Sequence, residues 1–238
     1  MKTLCVILFS LATIAGCSRN DMQIPFDSSQ QANTTTLKGP YTYLALGDSY
    51  TIGESVTQAQ SFPYQLRDVM ANAGYNVTPP KIIATTGWTT ANLISAIQQA
   101  NLTSQYDFVT LLIGVNNQYQ GQSQTDYRTQ FVQLLNTSIA FAGGNPKKVF
   151  VLSIPDYSVT PFAYGSNTAQ TASQIDQFNY INATESTKAG VNYLDITGIS
   201  RKAATDPTLI APDGLHPSAK MYALWVAPLS AQVVGQLK

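Results

Sequence analysis

From Tyr41 onward, short and nearly continuous apolar runs alternate with longer stretches of helical periodicity. The apolar runs are Thr42–Leu46, Lys81–Ala84, Phe108–Ile113, Val149–Ile154 and Val191–Ile196. Runs of this length without polar alternation predict strands buried on both faces. Between them, helices are predicted near Phe62–Ala73, Thr90–Ala100, Asp126–Ala142 and Ala169–Ala189, with a last one from Ser218 to about Leu237. Strand–helix alternation implies right-handed crossovers and a parallel sheet covered on both sides. The predicted class is therefore α/β with a five-stranded parallel sheet. Ligands of such sheets bind outside the carboxyl ends of the strands.

The first residues break this pattern. Lys2 supplies a positive start, Leu4 to Ile14 is mostly apolar, and Ala15-Gly16-Cys17 follows with small residues and a cysteine. The three-part arrangement is that of a secretory signal, and its apolar run is shorter than the roughly 20 residues a membrane-spanning helix needs. Ile14-Ala15-Gly16-Cys17 also resembles the lipobox of bacterial lipoproteins. That resemblance implies cleavage before Cys17, which then carries lipid; an ordinary secretory signal cut near the same place is the alternative. The expected organisation is a signal peptide at 1–16, a lipidated tether at 17–39, and one folded domain at 40–238. Residues 18–38 are rich in Gln, Asn, Ser and Thr without apolar periodicity, and Gly39-Pro40 opens the domain. The expected location is the bacterial cell envelope, exported and membrane-anchored through lipid.

Composition narrows the function. The chain of 238 residues is 44% hydrophobic, enough for one domain with a full core. Only 11% of residues are charged, the net charge is zero, and no long basic run occurs. Nucleic acid is thereby disfavoured as a partner, because phosphate neutralisation needs clustered Lys and Arg. The two cysteines, Cys5 and Cys17, both lie at the amino end, so the domain itself is expected to hold no disulfide. One histidine and no cysteine pair speak against a typical zinc site. No metal or cofactor is expected.

That single histidine, His216, sits in Asp213-Gly214-Leu215-His216-Pro217. Far upstream, Gly47-Asp48-Ser49-Tyr50 follows the first predicted strand. A serine acts as a nucleophile near neutral pH when a base takes its proton, and histidine suits that task. If Ser49 is a nucleophile, His216 is the only available imidazole. Asp213, three residues before His216, is spaced to fix the tautomer and stabilise the imidazolium. Gly87 follows the second strand and offers an unobstructed N–H; Asn116 follows the third and offers an amide. Both residue types suit an oxyanion that develops during acyl transfer. Each position also has a plain structural explanation: a helix cap for Ser49, turns at Gly87 and Asp213-Gly214, and a strand-end cap for Asn116. Taken together, four separate segments are expected to converge on one rim of the sheet.

Together these blocks resemble the GDSL, or SGNH, hydrolase family from about Tyr41 to the carboxyl terminus. The matching segments are Gly47-Asp48-Ser49, Thr85-Thr86-Gly87-Trp88, Gly114-Val115-Asn116-Asn117 and Asp213-Gly214-Leu215-His216-Pro217. The resemblance implies a Ser49–Asp213–His216 triad and an oxyanion hole of Ser49 N–H, Gly87 N–H and the Asn116 amide. It also implies a flavodoxin-like three-layer α/β/α sandwich. Two departures stand out: Tyr50 replaces the family's leucine, and Asn117 replaces an aspartate common after the oxyanion asparagine.

The expected function is serine esterase activity of the simple-esterase or lysophospholipase-like kind, on a small-molecule ester, by a monomer. The alternatives are a carbohydrate O-deacetylase of the same fold and a non-catalytic envelope module that binds glycan or lipid. Trp88, Tyr119, Tyr157, Phe162 and Tyr164 either line the entrance or pack beneath the loops.

Overall fold

A computed structural model describes residues 37–237. The predicted signal peptide, Cys17 and most of the predicted tether lie outside the described residues. Five strands form one sheet, all in parallel: β2 (Tyr43–Gly47), β4 (Lys81–Ala84), β5 (Phe108–Leu112), β6 (Val149–Leu152) and β7 (Asn192–Leu194). Their spatial order is β4-β2-β5-β6-β7. Counting these strands alone in chain order, that is 2-1-3-4-5, the flavodoxin-like arrangement. Every residue of β2, β5 and β6 is buried, whereas the edge strands β4 and β7 are only partly covered. The continuous apolar runs thus reflect burial on both faces.

Helices α2 (Phe62–Asn72) and α8 (Ala219–Gln236) pack together, as do α3 (Thr90–Ala100) with α5 (Gln124–Phe141), and α5 with α6 (Thr168–Ala189). These two groups cover the sheet as outer layers. Trp225, Tyr222, Leu229 and Val233 of α8 are buried, as are Phe62, Leu66 and Met70 of α2.

The sequence pattern missed the shortest elements. Strands β1 (Lys38–Tyr41) and β3 (Tyr75–Val77) form a separate parallel pair. Lys38 and Gly39, expected to end the tether, therefore belong to β1. The one-turn helices α1 (Ser49–Ile52), α4 (Val115–Tyr119) and α7 (Thr197–Ser200) follow the ends of β2, β5 and β7. Strand β6 also stops two residues before the predicted Ile154. The side chain of Asn179 captures that residue instead: its Oδ1 accepts from Ile154 N (2.7 Å) and its Nδ2 donates to Ile154 O (2.9 Å). A side chain on α6 has replaced a neighbouring strand as the partner of this backbone.

Candidate active site

Ser49 sits where β2 gives way to α1. Asp48 caps that turn, accepting from Tyr50 N at 3.0 Å. Gly47 is required by close approach: a Cβ there would stand 2.4 Å from Leu112 O and 2.1 Å from Thr51 Oγ1. The backbones of β2 and β5 are therefore pressed together beneath the serine. This is the point where strand order reverses, at which an open α/β sheet leaves a crevice. Asp48 itself is fully buried, and its Oδ2 has no hydrogen-bond partner among the described residues. Burial pushes its carboxyl up to about 7, with the bonds from the Tyr50 N–H and its own backbone opposing the rise.

The loop that carries Asp213 and His216 precedes α8. Asp213 Oδ2 lies 2.6 Å from His216 Nδ1. Its Oδ1 accepts from Leu215 N and His216 N, each at 3.0 Å, which folds the loop around the carboxylate. A fourth donor arrives from elsewhere: Ser55 Oγ donates to Asp213 Oδ2 at 2.6 Å. Partial burial works to raise the Asp213 pKa, but the bonds from Ser55, Leu215 and His216 outweigh it and hold the carboxyl well below the usual carboxylate range. A carboxylate on Nδ1 leaves Nε2 as the acceptor nitrogen of a neutral imidazole, the tautomer a general base needs. Tyr50 packs its ring at 63° to the imidazole with centroids 5.5 Å apart, and its carbonyl accepts from Tyr222 OH at 3.0 Å. The departure from leucine at this position supplies a wall for His216.

Gly87 has φ +82° in a turn after β4, and a Cβ there would meet nothing within 4 Å. The backbone conformation favours glycine, and the side-chain position stands open beside the cleft. Asn116 donates one amide hydrogen to Trp88 O at 3.0 Å, which orients the side chain beside the Gly87 turn. Asn117 turns inward. Its Oδ1 accepts from Thr90 N (3.0 Å), and its Nδ2 donates to Thr90 Oγ1 (2.8 Å) and Gln122 Oε1 (2.9 Å). Both amide hydrogens and the carbonyl oxygen are engaged, tying α4 to the start of α3 and to Gln122. The residue after Asn116 is thus fixed in place by neutral partners, with an asparagine where an aspartate was expected.

Ser49, Gly87, Asn116 and His216 line one cleft, with an empty volume of about 520 Å³ including its open mouth. Asp213 stands behind His216, outside the lining. Ser49 makes no hydrogen bond to His216 in this structure, though both side chains reach the same cleft; such contacts often tighten only when substrate binds. Tyr119, Tyr157 and Phe162 also line the cleft, whereas Trp88 packs partly buried against the core and Tyr164 is exposed away from it. Among the described residues, no cluster of metal-ligating side chains occurs.

The profile of the GDSL-like lipase/acylhydrolase family matches residues 45–224, a span that includes all four blocks around this cleft. The chain belongs to that family. Solved structures share its fold. TesA aligns at 16% identity over 82% of this chain and 99% of its own, with a TM-score of 0.64. The psychrotrophic esterase EstA from Pseudoalteromonas sp. aligns at 16% identity over 83% and 98%, with a TM-score of 0.62. The lipase/acylhydrolase from Enterococcus faecalis aligns at 19% identity over 82% and 96%, with a TM-score of 0.62. At these identities the likeness establishes the fold. A sequence search of curated proteins finds no match.

Ser55 is the residue that pattern reading missed. It lies 158 positions from its partner Asp213 and has φ +65°, an uncommon conformation for a non-glycine residue. Its neighbour Glu54 accepts a short hydrogen bond from Thr86 Oγ1, beside Gly87. The turn after Ser49 therefore touches both the loop of Asp213 and His216 and the turn that holds Gly87. The only trace in the sequence is the Gly53 that lets α1 end there.

Proposed function

We propose that this GDSL-family protein is a serine esterase acting through an acyl-enzyme intermediate. The observation that carries the proposal is the Asp213–His216 pair, held by four hydrogen bonds to the carboxylate, in a loop that brings the imidazole to the same cleft as Ser49. Ser49 Oγ attacks the ester carbonyl while His216 Nε2 takes its proton. Negative charge on the carbonyl oxygen is met by the N–H groups of Ser49 and Gly87 and the second amide hydrogen of Asn116. Collapse expels the alcohol, which takes the proton from His216. Water then attacks the acyl-enzyme, with His216 as base again, and Ser49 leaves with its proton restored.

The substrate class proposed is a small carboxylic ester of the simple-esterase or lysophospholipase-like kind, and the working unit a monomer. The test is hydrolysis of p-nitrophenyl esters from acetyl to palmitoyl, with Ser49→Ala as the blank. Turnover is expected to vanish in Ser49→Ala and to fall at least about 10³-fold in His216→Ala, since no second imidazole exists. Near-normal rates in either variant would sink the mechanism. Stoichiometric labelling of Ser49 by a fluorophosphonate separates an activated serine from a mere binding module.

We also propose that Cys17 carries a lipid that anchors the enzyme in the bacterial envelope, supported by the apolar run ending in Ala15-Gly16-Cys17. Incorporation of labelled palmitate that persists in Cys17→Ser would count against the anchor.

A further inference from the structure

Tyr119 comes from one segment and Tyr157 and Phe162 from another, and the three meet at the mouth of the cleft. Tyr119 ends α4, three residues after Asn116, and the other two sit in 3₁₀ turns at Tyr157–Val159 and Pro161–Ala163. Their ring centroids form a near-equilateral triangle, 6.2 Å from Tyr119 to Tyr157, 6.0 Å from Tyr119 to Phe162 and 6.2 Å from Tyr157 to Phe162. Tyr157 is buried at the base, while Tyr119 is 60% and Phe162 49% exposed. Two large aromatic side chains are thus held in water beside a reactive serine, which leaves apolar area open for a ligand to cover.

The platform is rigidly supported. Phe162 N donates to Gly214 O at 3.0 Å, joining it to the acid–base loop. Asp156, next to Tyr157, is buried; it accepts from Ser158 N (2.9 Å) and Arg201 Nε (2.8 Å), and its N–H donates to Ser200 Oγ (2.8 Å). The shelf is therefore preorganised and need not be assembled on binding.

Its chemistry excludes several ligands. Rings spaced 6.0–6.2 Å apart are in contact with one another, so no gap remains between them for a quaternary ammonium group. Among the described residues, no Lys, Arg, Asp or Glu lines the cleft, so neither a phosphate nor a carboxylate beside the ester finds a counter-charge there. Ring hydroxyls of a sugar fare poorly too. Apart from the tyrosines, the polar side chains of the lining are Ser49, Asn116 and His216, all engaged in the acyl transfer, and Thr86, whose hydroxyl is given to Glu54. A polyol would lose water at its hydroxyls and gain few partners.

We propose that Tyr119, Tyr157 and Phe162 form an apolar subsite for an aryl or alkyl group attached to the ester, so that the preferred substrates are neutral apolar esters rather than acetylated polyols. This rests on the esterase reading above and takes its simple-esterase branch, since a lysophospholipid carries a phosphate for which the cleft lining holds no counter-charge. The group lies on either the acyl or the alcohol side, and the experiment separates the two.

The test measures kcat/KM of the full-length enzyme on two series, each corrected by Ser49→Ala. One lengthens the acyl chain of an ethyl ester from acetyl to hexanoyl; the other compares benzyl with methyl acetate, with an acetylated xylose as the polyol case. In at least one series the rate is expected to rise, by roughly two- to fourfold per methylene for acyl chains or by about tenfold for benzyl over methyl. The series that responds locates the shelf. Tyr119→Ala and Phe162→Ala are each expected to cut that preference about threefold to tenfold, and Tyr119→Phe to keep it. Flat response in both series, an unchanged preference in both alanine variants, loss of preference in Tyr119→Phe, or acetylated xylose as the best ester would overturn the shelf while leaving the esterase intact. Absence of Ser49-dependent hydrolysis on every ester, together with no fluorophosphonate labelling, would overturn the esterase reading itself and the shelf with it.

Discussion

The turn that carries Ser49 and the loop that carries His216 each contain an aspartate, and the fold treats the two carboxyls in opposite ways. Asp48 is sealed in the interior with one N–H donor on Oδ1 and an orphan Oδ2. Asp213 is part-exposed and receives four donors, two on each oxygen. Burial pushes the first up to about 7, and hydrogen bonds hold the second well below its usual range. The difference shows how one short stretch of rim assigns charge. In the mechanism proposed above, Asp213 has to stay ionised to face an imidazolium, and the loop surrounds it with donors. Asp48 caps a turn through one oxygen, which a neutral carboxyl also does.

The largest effect expected from this contrast is at Asp213. Asp213→Asn keeps the shape of the side chain but loses the charge that selects the tautomer, so kcat should fall about 10⁴-fold. A loss below tenfold would mean that the four donors stabilise the loop without serving the imidazole.

Next in size is a pH effect at Asp48. Its folded carboxyl binds a proton more tightly than the unfolded one, whose ordinary value is 3.8. The resulting stabilisation is present in acid and is lost as pH rises from about 4 through about 7, by at most about 4 kcal/mol. Asp48→Asn, neutral at every pH and still able to cap Tyr50 N, should remove that decline, with kcat changed less than threefold. Thermal unfolding of both proteins at pH 5 and pH 8 checks this; equal slopes with pH would show that Asp48 titrates normally. Asp213 runs the other way. Its contribution is present above its ordinary value and is lost as the solution is acidified below it.

The smallest effect belongs to Ser55, which gives Asp213 its one donor from outside the loop. Ser55→Ala keeps the strained φ and loses the hydroxyl; Ser55→Gly relieves the strain and also loses it. If the hydroxyl matters, kcat should fall in both by about threefold to tenfold, while Ser55→Gly unfolds at a higher temperature than Ser55→Ala by up to about 1 kcal/mol in stability. Activity recovered in the glycine variant alone would assign Ser55 to backbone geometry instead.

Much of this molecule was legible from the chain. The apolar runs marked the five sheet strands because β2, β5 and β6 are buried on both faces, and the helical stretches between them were long enough to show their period. The family blocks marked Ser49, Gly87, Asn116, Asp213 and His216, four of which line one cleft with Asp213 bonded behind. Less legible were β1, β3 and the one-turn helices α1, α4 and α7, since three to five residues are too few to display a period. The roles of Tyr50 and Asn117 were visible only as departures from a motif. Their partners, His216 and Thr90, lie far along the chain.

What the sequence by itself determined is local and additive: which segments are apolar enough to be buried, where they must turn, and which residue types can carry acyl transfer. The tertiary structure decided everything that depends on who faces whom. It chose which of five aromatic residues stand at the cleft and which aspartate is surrounded by donors. It also brought Ser55 to a carboxylate 158 positions away. Those outcomes turn on distances of a few ångströms and on the loss of water around each group, and both arise only when separate segments are packed against one another.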